Sequence, residues 1–86
     1  MDRKELKREL IRLYARCGSY ILQCENSEKN GVFTTRFRHP TRRKIIEVTE
    51  SLSEILCVLV YNETTNAAQR NCTECKTIEQ FRQAIA

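Results

Sequence analysis

The sequence predicts a small α+β domain: an N-terminal helix, a three-stranded antiparallel meander and two C-terminal helices packed on one sheet face, in the order α-β-β-β-α-α. Three observations carry this. Apolar residues recur at helical spacing over residues 3–17, residues alternate in character over 19–25, 32–38 and 44–49, and capping boxes stand at Ser51 and Thr77. The chain of 86 residues is one domain, 1–86, near the lower size at which one apolar core suffices. With 41% hydrophobic and 30% charged residues it is composed as a folded globular chain and not as a disordered one.

Leu6, Leu10, Leu13, Tyr14 and Cys17 form the apolar stripe of the first helix, and Gly18 supplies its stop. Lys4, Arg8, Arg12 and Arg16 line up four residues apart on the other side, diluted by Glu5 and Glu9. Over 19–25, Tyr20, Leu22 and Cys24 share one face of a strand and Ile21 and Gln23 the other. Residues 26–31 read as a polar loop closing on Asn30-Gly31, which favours positive backbone dihedrals and a hairpin. In the second strand Phe33, Thr35 and Phe37 are expected inward and Thr34, Arg36 and Arg38 outward. A turn at Pro40 leads to a third strand with Ile46 and Val48 on one face and Ile45 on the other.

Residues 51–61 fit two structures. The run Ile55-Leu56-Cys57-Val58-Leu59-Val60-Tyr61 suits a buried strand, which would make the sheet four-stranded. The helical spacing of Leu52, Ile55, Leu56 and Leu59, behind the box Ser51-Leu52-Ser53-Glu54, favours a helix, and that is the expectation. Residues 62–76 read as a polar loop with a helical turn at 67–70. A short helix then carries Ile78, Phe81 and Ile85 behind the box Thr77-Ile78-Glu79-Gln80.

Charge is unevenly distributed. Residues 1–44 hold twelve Lys or Arg against five Asp or Glu, whereas residues 45–86 hold three against six. The basic half points to an anionic partner. Its sharpest feature is the outward face of the second strand and the turn after it: Thr34, Arg36, Arg38, Arg42, Arg43 and Lys44, with Arg8 and Arg12 assisting from the first helix. Arg36 and Arg38 lie about 7 Å apart by strand rise, the spacing of successive phosphates on one nucleic-acid strand. Guanidinium suits phosphate or a guanine edge because its planar fork donates two parallel bonds. Glu47, Glu50 and Glu54 bound this surface on its C-terminal side.

Catalytic devices are missing from the sequence. The two glycines, Gly18 and Gly31, form no phosphate-binding loop, and Cys/His catalysis would require Cys57 or Cys75 to meet His39, the single histidine. His39 is expected as an exposed turn residue or an additional phosphate donor. Cys72-Thr73-Glu74-Cys75 has metal or redox spacing, but Cys17, Cys24, Cys57 and His39 show no second paired spacing to complete a zinc site. Cys72 and Cys75 are therefore weak metal candidates, and no cofactor is expected.

These readings predict a non-enzymatic regulatory protein that binds nucleic acid, DNA first, through a basic sheet face. The alternative is a protein-interaction module or small inhibitor that sets this face on an acidic protein surface, with Ile21 or Ile45 as an apolar anchor. No apolar run has the length of a membrane span, so no membrane partner is expected. The charged N-terminus and five cysteines fit an intracellular protein, cytoplasmic or nucleoid-associated, with reduced thiols. A core this small leaves room for homo-oligomers, with the sheet edges the natural place for self-association.

Overall fold

The computed structural model describes residues 1–15, 24–64 and 71–86. Helix α1 (Arg3–Ala15) is followed by strands β1 (Cys24–Lys29), β2 (Val32–Arg38), β3 (Lys44–Glu50), β4 (Ile55–Asn62) and β5 (Cys72–Glu74), and then by helix α2 (Ile78–Ile85). All five strands pair antiparallel in sequential order. The class is α+β as expected, but among the described residues the sheet has two more strands than the expected meander, and one C-terminal helix stands where two were expected. The expected helix stop at Gly18, residues 19–23 of the strand expected at 19–25 and the helical turn at 67–70 lie outside the described residues.

The first hairpin forms further along the chain than expected. Residues 26–29 pair with β2 up to Lys29↔Val32, so the polar segment expected as a loop is mostly strand. Only Asn30 and Gly31 remain to turn the chain, with φ of 55° and 76°. Positive φ at both central positions matches the right-handed twist of the strands, which is why this dipeptide closes the tightest hairpin. The Gly31 N–H also donates to the Glu28 carboxylate at 2.9 Å.

Residues 51–61 resolve as a tight turn and a strand, and not as a helix. The box at Ser51 is used for the turn: Ser51 N–H donates to the Glu54 carbonyl at 2.9 Å, and Glu54 N–H donates to Ser51 Oγ at 3.3 Å. Beyond it β4 pairs with β3 from Glu50↔Ile55 to Lys44↔Asn62, through a bulge at Thr49 and Glu50. A helix here would have left the outer backbone groups of β3 unpaired, and the β-branched residues Ile55, Val58 and Val60 suit the strand. β4 in turn recruits β5, with Val60 opposite Thr73.

Cross-strand partners share a face, so the register assigns both sides of the sheet. Ile46, Val48, Val58 and Val60 bury against Leu6 of α1, Phe81 of α2 and Cys75, with Leu10, Leu13, Phe37, Ala84 and Ile85 packed around them. Both helices therefore cover the same face. α1 begins beside Glu50, to which Arg3 is paired at 3.1 Å, and ends near Arg38, whose carbonyl accepts a 2.6 Å bond from Tyr14. Phe37 is packed as expected, but Phe33 is 38% exposed, because it lies opposite Glu50 where α1 only begins. At the other end Thr77 caps α2 as its sequence implies, its hydroxyl accepting from Gln80 N–H at 3.1 Å.

Candidate anion-binding site

The face turned away from the helices carries Thr34, Arg36 and Arg38 of β2, opposite Thr49, Glu47 and Ile45 of β3. The period-two expectation for these side chains holds. Each one, however, meets a partner: Thr34 and Arg36 on the neighbouring β3, and Arg38 just beyond the end of β4. Thr34 and Thr49 bring their hydroxyls to 3.5 Å, and Arg36 donates to Glu47 at 3.0 Å. Glu47 also accepts from the Tyr61 hydroxyl at 3.1 Å, and Arg38 is ion-paired with Glu63. The expected row of guanidinium groups is thus a row of ion pairs.

Lys44 does not join this surface. As the first residue of β3 it shares a face with Ile46, and its ammonium donates to the carbonyls of Ala84 and Ala86 at 2.8 and 3.0 Å. It satisfies the orphan carbonyls at the C-terminus of α2, where a cation also complements the helix dipole. Arg8 and Arg12 stand in the helix layer, lining a small polar cleft of about 100 Å³ with Glu5, Glu9 and Arg82. There Glu9, 7% exposed, is bound by Arg82 at 2.6 Å and approached by Arg12 at 3.7 Å. The hydrogen bond from Arg82 is the main cause that holds the Glu9 pKa below its ordinary value, opposed by burial and assisted by the charges of Arg82, Arg12 and Arg8.

What remains of the predicted patch is the turn between β2 and β3. Arg42 and Arg43 are exposed there, and neither has an acidic partner among the described residues. Together with Arg38, Thr41, Glu63 and Thr64 they line an open groove of about 760 Å³. His39 builds this turn and is not an exposed phosphate donor: it is 6% exposed. Its Nδ1 accepts from the backbone N–H groups of Thr41 and Arg42 at 3.2 and 3.0 Å. Two acceptances at Nδ1 require the neutral ring. Burial, reinforced by the charges of Arg42 and Lys44, pushes the His39 pKa down. Backbone bonds from His39 N–H to Lys44, from Lys44 N–H to Arg42 and from Glu63 N–H to Arg43, each 2.9 Å, complete the frame.

The cysteines separate across the sheet. Cys72, exposed, lies opposite Tyr61 in the register, whereas Cys75 is 3% exposed in the core and its N–H donates to the Val58 carbonyl at 2.8 Å. Burial raises the pKa of Cys75, and of Cys57, so both thiols stay protonated and are poor nucleophiles. Among the described residues no group of three or more His, Cys, Asp or Glu gathers as a metal site would require. No described helix is long and apolar enough to cross a membrane.

Sequence reasoning misses Glu63 and Tyr61 on this surface and places Glu47 only at its boundary. Reading residues 55–61 as a strand would have brought Tyr61 opposite Ile45 and Glu63 to the end of β2. That alternative was legible in the β-branched run. Comparison with protein-family models, curated proteins and solved structures finds no significant match to this chain.

Proposed function

We propose that the protein is a non-enzymatic binding module that takes an acidic segment of a partner protein into the groove at the 39–43 turn. The observation that carries this reading is the pairing state of the arginines. Arg36 and Arg38 already hold Glu47 and Glu63, whereas Arg42 and Arg43 stand exposed on a turn locked by His39. Two available guanidinium groups in a compact groove suit one or two carboxylates, each held through a bidentate fork. The rigid frame supports affinity, because little backbone entropy is lost on binding.

DNA is the weaker reading on the same geometry. A phosphate backbone tracking from the turn onto the sheet would find Arg38 and Arg36 already engaged by Glu63 and Glu47, which opposes a continuous contact, whereas a short acidic segment needs only Arg42 and Arg43. The two readings are separated by offering both kinds of partner. Selection from a library of random displayed peptides should enrich acidic sequences, and Arg42→Glu with Arg43→Glu should weaken the selected peptide by about tenfold or more. A short DNA duplex at low ionic strength should show no saturable binding. Saturable duplex binding lost in the double variant, with no acidic enrichment, would replace this reading with the nucleic-acid one.

A further inference from the structure

At the opposite end of the sheet the molecule carries both halves of a self-complementary contact. One half is an apolar cleft of about 200 Å³ between α1 and the sheet, lined chiefly by Leu6, Leu10, Phe37, Val48 and Ile55, with Lys7 at its rim. Lys7 has no acidic partner among the described residues. The other half is the β3–β4 turn, where Leu52 is 83% exposed. Arg3 braces that turn from α1, donating to the carbonyls of Ser51 and Leu52 at 2.7 and 3.4 Å and pairing with Glu50 at 3.1 Å. A large apolar side chain held out on a braced turn loses little entropy when it docks.

We propose that two copies of this chain form a two-fold dimer in which Leu52 of each enters the α1 cleft of the other. Size and charge both fit a second copy. A dry cavity of about 150 Å³ holds a benzene ring, so a cleft of about 200 Å³ accommodates the four-carbon side chain of leucine. Glu54, exposed and two residues beyond Leu52, then arrives at the rim where Lys7 waits. The turn and the cleft are neighbours in one molecule, since Glu50 and Ile55 both flank the turn and line the cleft. That adjacency permits one axis to satisfy both contacts at once, as an isologous interface requires. Phe33, 38% exposed and opposite Glu50 in the register, extends the apolar contact.

The dimer does not depend on the anion-binding groove at the other end of the sheet. Sedimentation equilibrium of the full chain up to millimolar concentration should show a monomer–dimer equilibrium. Leu52→Glu should raise its dissociation constant at least tenfold while leaving the unfolding midpoint of the dilute, monomeric protein unchanged, since Leu52 is solvated in the monomer. Lys7→Glu and Glu54→Lys should each weaken the dimer, and the two combined should recover most of the loss. A parent chain that stays monomeric, a Leu52→Glu variant that dimerises as the parent does, or a charge swap that fails to recover would each overturn the proposal. Should Leu52→Glu prove unfolded, isotope-mixed parent protein decides: contacts between Leu52 methyls of one copy and Phe37 or Leu10 of the other are expected, and contacts along β1 or β5 instead overturn it.

Discussion

His39 shows how one side chain sets the shape of the basic turn. Its ring is an acceptor for two backbone N–H groups, a role open only to the neutral form. The folded pKa lies below the ordinary value of 6.5, so the stability it contributes is complete above that pH and is lost as pH falls through the folded value. Urea unfolding should therefore show a falling midpoint between neutral pH and about pH 5, and His39→Phe should be less stable at neutral pH but flat across that interval. Phe81 tests the core. It is fully buried at 0% exposure, and Phe81→Ala should cost about 3–5 kcal/mol in the same assay. Gly31 tests the backbone alone: a Cβ there would meet nothing within 4 Å, but φ is +76°. Gly31→Ala should therefore cost about 1–2 kcal/mol from left-handed strain, without any packing change in the spectra.

Among the elements, the contrast between the two capping boxes is the most instructive. Thr77-Ile78-Glu79-Gln80 starts a helix, with Gln80 reaching back to the Lys76 N–H at 2.7 Å. Ser51-Leu52-Ser53-Glu54 repeats the bond from the fourth residue's N–H to the first residue's hydroxyl, but Ser51 N–H donates to the backbone carbonyl of Glu54 and not to its side chain, which closes a hairpin. The local signal was equivalent in both, and what followed differed: Phe81 and Ile85 require a helix to reach the core together, whereas Val58 and Val60 reach it by alternation and Ile55 through the bulge. Thr77→Ala should destabilise the protein by about 1 kcal/mol, with the loss visible in exchange rates of the α2 amides. The α1 stripe, the Asn30-Gly31 turn, the alternation of β2 and the α2 cap were legible because each is decided within a few residues. β4 was legible only as the alternative to a helix and β5 not at all, because a strand gains its stability from a neighbour that local sequence does not contain.

At the scale of the whole molecule, the charge separation between the two halves takes on a different meaning. Arg3, Arg36 and Arg38 of the first half pair with Glu50, Glu47 and Glu63 of the second, and Arg82 of the second pairs with Glu9 of the first. Much of the asymmetry that suggested an anionic partner is thus spent in joining the halves to each other. Glu9, which links α1 to α2, should mark acid unfolding. Its folded pKa lies below 4.5, so its contribution is complete above that value and is lost as pH falls through the folded one. Glu9→Gln should therefore remove a step in stability below about pH 4.5, while leaving the His39 step in place.

By itself the sequence determined the α+β class, the two terminal helices, the side of β2 on which Thr34, Arg36 and Arg38 lie, and the basic turn, since periodicity and capping are properties of contiguous residues. Only the tertiary structure decided which arginines stay available, that Lys44 serves the end of α2, and that His39 is a frame and not a ligand. Those outcomes depend on contacts between residues far apart in the chain. Whether a charge faces a partner protein or its own fold is set by what the sheet places beside it.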